Sequence, residues 1–142
     1  MVAFLFGLLM WGLNKYVHPA TLTFKVELWI YRIIFGIGIM VGILGLFQFI
    51  RHQTTIDPHK PDKASTLVTE GIYRFSRNPM YLALLICLIG FGFKLGNILS
   101  FLPIYFFVLF MNRYQIKPEE EILRIKFGKQ FEVYSSRVRR WI

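Results

Sequence analysis

Four apolar blocks separated by short polar stretches constrain this chain more than any other feature. They run from about Val2 to Val17, Val26 to Ile50, Pro79 to Leu95 and Ile98 to Tyr114. A helix can cross hydrocarbon because it satisfies its own backbone polar groups, and roughly twenty apolar residues suffice. The second block is long enough to cross with some tilt. The third and fourth are shorter and are separated by the turn-like Lys94-Leu95-Gly96-Asn97, so they read as a tight helical hairpin. The sequence therefore predicts an all-α integral membrane protein with four transmembrane helices. Its 142 residues leave room for a single domain, and a 55% hydrophobic composition is too apolar for an ordinary soluble one. No basic residue precedes the first block and no small-residue cleavage site follows it, so it reads as a retained span.

Charge sets the expected orientation. Thirteen basic residues lie in the loop 51–78 and in the tail from Asn112 onward, against Lys15, Lys25 and Lys94 on the other side. The positive-inside rule then puts both termini in the cytoplasm. The net charge of +9 belongs with anionic lipid rather than nucleic acid. Arg32, left inside the second block, reads as a side chain snorkelling to the outer headgroups. The glycines of FGIGIMVGILG follow no strand, so they suit close helix packing, with Gly38 and Gly42 as a GxxxG pair, rather than a phosphate loop. Cys87 is the single cysteine, and no Cys/His cluster has metal-ligand spacing, so no metal is expected.

The tail has a helical period. Leu123, Phe127, Phe131, Tyr134, Val138 and Trp141 recur at intervals of 4, 4, 3, 4 and 3. This predicts a C-terminal cytoplasmic amphipathic helix lying on anionic lipid, bent or broken at Gly128. Pro118 stands near its start, and Glu119, Glu120 and Glu121 fill the first turn, where the helix dipole favours acids facing water.

The stretch GIYRFSRNPMY, residues 71 to 81, carries more polar and aromatic groups than a helix start needs. Asn78 as N-cap and Pro79 as first helical residue suffice for that. Arg77 would meet headgroups and Tyr81 the aromatic belt. A helix N-terminus is also a place where carboxylates and phosphates bind. Arg113, at the end of the fourth block, suits a carboxylate or phosphate on a substrate.

Taken in order, LVTEGIYRFSRNPMY, an apolar hairpin and PEEEILRIKFGKQFEVYSSRVRRW resemble the isoprenylcysteine carboxyl methyltransferases. They are equally similar to the wider group of small membrane methyltransferases that includes phospholipid N-methyltransferases. The shared pattern is carried by Leu67, Val68, Thr69, Gly71 and Tyr73, then by Arg77, Pro79 and Tyr81. Glu119, Glu120, Leu123, Phe127, Gly128, Phe131 and Tyr134 complete it, so the match covers about residues 65 to 138. The resemblance implies a single membrane methyltransferase domain over residues 1–142, with S-adenosylmethionine as methyl donor in a cytoplasm-facing pocket roofed by the tail. It implies donor contacts at Ser65, Thr66, Leu67, Val68, Tyr73, Asn78, Pro79, Met80, Tyr81 and Glu119. Arg113 would orient a lipophilic acceptor, either a prenylcysteine-type carboxylate or a lipid headgroup. Two departures stand out: Asn78 replaces the family's usual histidine, and Arg113 lies farther from the acids than in the eukaryotic pattern. The competing readings are an NADPH-dependent membrane reductase of the sterol reductase type and a non-catalytic membrane adaptor.

Overall fold

The computed structural model describes residues 1–17, 25, 27–51 and 66–142. Among these, every regular element is helical. Helices α1 (Val2–Tyr16), α2 (Leu28–Arg51) and α3 (Pro79–Leu95) occupy the first three apolar blocks. The fourth block is not one helix. It opens as a 3-10 turn at Ile98–Phe101, becomes α4 over Leu102–Phe110, and widens into a π-helix over Met111–Ile116. Pro118 lacks the amide that would carry an α-helical ladder back to residue 114, and the widened stretch ends just before it. Then come α5 (Lys117–Phe127) and α6 (Lys129–Arg137), separated at Gly128.

Among the described residues, one helix is long and apolar enough to cross a membrane, over Leu28–Gln48 of α2. The apolar helices α1 and α3 are shorter, at 15 and 17 residues, and α4 has nine. The exposed face of α2 carries Trp29, Ile33, Ile43 and Phe47. A lipid-facing surface looks like this, whereas water would penalise so long an apolar strip.

The residues divide into two compact units. The first is Met1–Met40 with Ala83–Phe110. Its centre is Met10 and Phe107, both fully buried, with Phe6 meeting the Phe107 ring edge-on at 5.5 Å. The expected turn at residues 94–97 is present, with Gly96 at φ +65°. Asn97 then accepts the Leu99 N–H at 3.0 Å and donates to the Val17 carbonyl at 2.9 Å, tying the hairpin to the end of α1. Gly38 does serve close packing. A Cβ there would fall 2.6 Å from Cys87 Sγ and 3.0 Å from the Ala83 carbonyl, so only glycine lets α2 approach α3 this closely.

The second unit is Val41–Leu82 with Met111–Ile142. Its core is Val68, Tyr73, Phe131 and Tyr134, flanked by Leu67, Ile72, Leu123, Phe127 and Val138. Here the sequence expectation needs correcting. From Leu123 to Val138 the apolar stripe of the tail packs inward on the loop that precedes α3. A stripe of this kind is buried by whichever apolar surface reaches it, and Val68, Ile72 and Tyr73 do so within the chain. Gly128 breaks the tail as expected, at φ +48°, a conformation that favours glycine. The pattern survives the break because each helix presents its own part of the stripe.

Candidate active site

The site is assembled in the second unit from three local structures. The first is a 3-10 turn at Gly71–Arg74, which delivers Tyr73 into the core. Gly71 at its start has φ +58°, and a Cβ there would collide with the Gln48 amide of α2. The second is the start of α3. Pro79 is fully buried, and Pro79 and Met80 both pack close to Gly45 of α2. That contact sets Tyr81 in the first turn. The third is the π-helix running into α5, which brings up Gln115, Glu119 and Glu120.

Tyr81 and Glu119 meet. The Tyr81 hydroxyl donates to Glu119 Oε1 at 2.6 Å, and Gln115 Nε2 donates to the same oxygen at 2.6 Å. Tyr73 is buried nearby, close enough for the Glu119 charge to act on it. Burial is the main cause that pushes the Tyr73 phenol up from its ordinary value, followed by Tyr134 and Glu119. Tyr134 donates to the Tyr73 carbonyl at 2.7 Å, which fixes the turn against α6. Two tyrosines and a carboxylate, all expected from the sequence, thus form one cluster.

The other expected contact residues stand in different settings. Val68 is 6% exposed and belongs to the core, with Leu67 packed against it. Thr66 is exposed, and Ser65 lies outside the described residues. The Asn78 amide donates to the Arg140 carbonyl at 3.0 Å, and its own backbone N–H is taken by Ser76 Oγ at 3.2 Å. So the side chain expected to cap α3 instead holds the C-terminal segment. Arg113 is exposed on the π-helix and meets no partner among the described residues.

Two expectations about charge are overturned. Glu120 does not face water as a dipole complement; it is 6% exposed. Arg77 does not reach for headgroups; its Nη1 lies 3.1 Å from Glu120 Oε1. Arg140 completes the group, with Nε at 3.0 Å from both Glu120 oxygens and Nη2 at 2.7 Å from Oε2. Burial lowers the Arg77 pKa, whereas the hydrogen bonds to Glu120 raise that of Arg140. A buried carboxylate needs such partners, since leaving it unpaired would cost several kcal/mol, about 3–5. Sequence reasoning missed Gln115, Arg140 and the burial of Glu120. The one signal available for Gln115 was its i,i+4 spacing to Glu119.

A carboxylate–tyrosine cluster at the mouth of an apolar helix, on an all-helical frame with a helix fit to cross a membrane, defines a candidate helical membrane enzyme. The family model for phospholipid methyltransferases matches residues 5–130, and the chain belongs to that family. A protein of Haemophilus influenzae described as uncharacterized is 43% identical over 63 residues, which are 44% of this chain and 100% of that protein. A protein-S-isoprenylcysteine O-methyltransferase of Schizosaccharomyces pombe is 30% identical over 107 residues, covering 69% of this chain and 45% of its own length. The chain thus spans less than half of that relative. No solved structure matches.

Proposed function

We propose that this protein is an integral-membrane methyltransferase that uses S-adenosylmethionine to methylate a lipophilic acceptor at the cytoplasmic membrane surface. The observation that supports it is the Tyr81–Glu119–Gln115 cluster beside Tyr73. A carboxylate flanked by tyrosine rings fits a donor that carries a sulfonium, an ammonium and ribose hydroxyls. Glu119 would accept hydrogen bonds from that donor, while Tyr81 and Gln115 hold the carboxylate in place. Tyr73 and Tyr81 would offer ring faces to positive charge. When bound, the donor supplies an electrophilic methyl group. The protein's part is to align it with an acceptor and exclude water.

The acceptor is either a prenylcysteine-type carboxylate or a lipid headgroup amine. A carboxylate reacts without prior deprotonation, whereas an ammonium must first lose a proton to a base. Neither matched sequence motif contains a histidine, which favours a carboxylate. Arg113, exposed next to the cluster in sequence, would pair with the acceptor's anionic group. The family and the fission-yeast relative support methyl transfer, and the relative's name agrees with a carboxylate.

Four membrane crossings with cytoplasmic termini complete the proposal, motivated by the basic asymmetry of the sequence. Single-cysteine variants at His18, Asp62, Gly96 and Ser135 test it in intact cells. Modification of the Asp62 position by an impermeant outside reagent would reverse the orientation. The activity is tested by incubating purified protein with radiolabelled S-adenosylmethionine and total membrane lipids. A base-labile labelled product is the expected methyl ester, and a base-stable labelled headgroup would assign N-methylation. No labelled lipophilic product and no donor binding by calorimetry would defeat the reading.

A further inference from the structure

We infer that Arg140 is a positioning residue for the donor site: its grip on Glu120 sets the placement of Glu119 against Tyr81. The inference rests on the donor site proposed above. Two ties join the start of α3 to the first turn of α5. One is the Tyr81–Glu119 hydrogen bond at 2.6 Å. The other is Arg77 to Glu120 at 3.1 Å. Glu119 and Glu120 are neighbours in sequence, and Arg77 precedes Tyr81 by four residues, so the second tie constrains the first.

Arg140 adds what Arg77 does not supply. Its Nε and Nη2 approach both oxygens of Glu120, so the carboxylate is fixed in plane as well as in place. Arg77 meets the carboxylate through Nη1, and its buried Nε has no hydrogen-bond partner. The segment bearing Arg140 is itself held by the residues that open α3. The Arg77 N–H donates to the Arg139 carbonyl at 3.0 Å, and Ser76 Oγ and Asn78 Nδ2 donate to the Arg140 carbonyl at 3.2 and 3.0 Å. Trp141 Nε1 donates to Asn112 Oδ1 at 3.2 Å, reaching the π-helix that carries Gln115. The C-terminal residues therefore touch the residues that open α3, the π-helix and the first turn of α5. Arg140 is also the accessible member of the ion group, its side chain 37% exposed against 13% for Arg77, so its substitution disturbs the interior least.

The test uses full-length protein in detergent, with Arg140→Lys and Arg140→Ala beside wild type. Affinity for S-adenosylmethionine and S-adenosylhomocysteine is read by calorimetry, turnover with labelled donor, and folding by thermal unfolding. Lysine keeps the charge but loses the fork. Arg140→Lys is expected to weaken donor affinity about tenfold, the scale of one charged hydrogen bond, with kcat at saturating donor near wild type. Arg140→Ala is expected to weaken it further, and Arg140→Lys keeps the test valid if the alanine variant fails to fold. Wild-type affinity in Arg140→Lys would overturn the inference. So would a lower unfolding temperature and lower yield of active protein with donor affinity unchanged, which mark a purely structural role. Failure of wild type to bind either nucleoside would instead defeat the proposed function itself.

Discussion

Tyr81 donates its phenolic proton to Glu119 Oε1 at 2.6 Å, across 38 positions of sequence. One residue opens an apolar helix and the other sits in the first turn of the helix after the π-stretch. Charge-assisted hydrogen bonds of this length are among the stronger ones in proteins. Tyr81→Phe removes the donor but keeps the ring. Donor binding should weaken by about 1–3 kcal/mol, the cost of leaving a buried polar partner short of a bond. Glu119→Gln should weaken it at least as much. Calorimetric titration with S-adenosylmethionine checks both, and unchanged affinity in two folded variants would contradict the assignment.

Arg113 separates catalysis from anchoring. If it pairs with an anionic acceptor, Arg113→Lys loses the bidentate fork, so turnover should fall roughly tenfold or more while donor affinity stays. Steady-state kinetics at saturating donor provide the comparison. Near-normal turnover would make Arg113 a membrane-surface anchor.

Gly71 should resist substitution. Its φ of +58° disfavours any side chain, and a Cβ would press on Gln48. Gly71→Ala should cost more than about 1 kcal/mol through the backbone alone. Gln48→Ala in the same chain should recover the steric part and leave the backbone part. Thermal unfolding of the single and double variants measures the difference.

Alkaline pH should lower stability through the buried tyrosines of the second unit. Burial raises the pKa of Tyr73 and of Tyr134, while Arg77 acts to lower the latter. An unfolded tyrosine ionises near about 10. Above that pH the unfolded chain holds fewer protons than the folded one, so stability declines as pH rises. The contribution is complete below the unfolded pKa and is lost on the way up to the folded one. Tyr134→Phe should lose about 1–3 kcal/mol at neutral pH, with its hydrogen bond to the Tyr73 carbonyl, and should show a shallower alkaline decline. Thermal midpoints from neutral pH to above the ordinary tyrosine range distinguish the two slopes.

Much of the architecture was legible in the sequence. The start of α3 at Pro79, the turn at Gly96 and the break at Gly128 all stand where local chemistry predicts. Proline at a helix start and glycine at positive φ act through their own backbones, so neighbours are not needed to read them. The fourth apolar block was not legible as a 3-10, α and π succession, because hydropathy does not record which carbonyl an amide reaches. The periodic stripe from Leu123 to Trp141 was visible, but what covers it was not. Lipid and the apolar surface of Val68, Ile72 and the Tyr73 ring could each cover it, and only the path of the chain brings the latter to the stripe.

The same division runs through the site. By itself the sequence determined the motif residues, their order and the family. It also placed Tyr73, Tyr81 and Glu119 among the groups of interest, because each stands in a pattern carried by local spacing. Tertiary structure alone decided that Glu119 meets Tyr81, whereas Glu120 turns inward to Arg77 and Arg140. Adjacent residues on a helix point about 100° apart. Two neighbouring glutamates therefore cannot share one environment, and which of them faces the cluster depends on the azimuth at which α5 packs. That angle is set by Leu123 and Phe127, which pack α5 against the core of Val68, Tyr73, Phe131 and Tyr134, and by the buried charges that must find partners, not by anything within the acidic run itself.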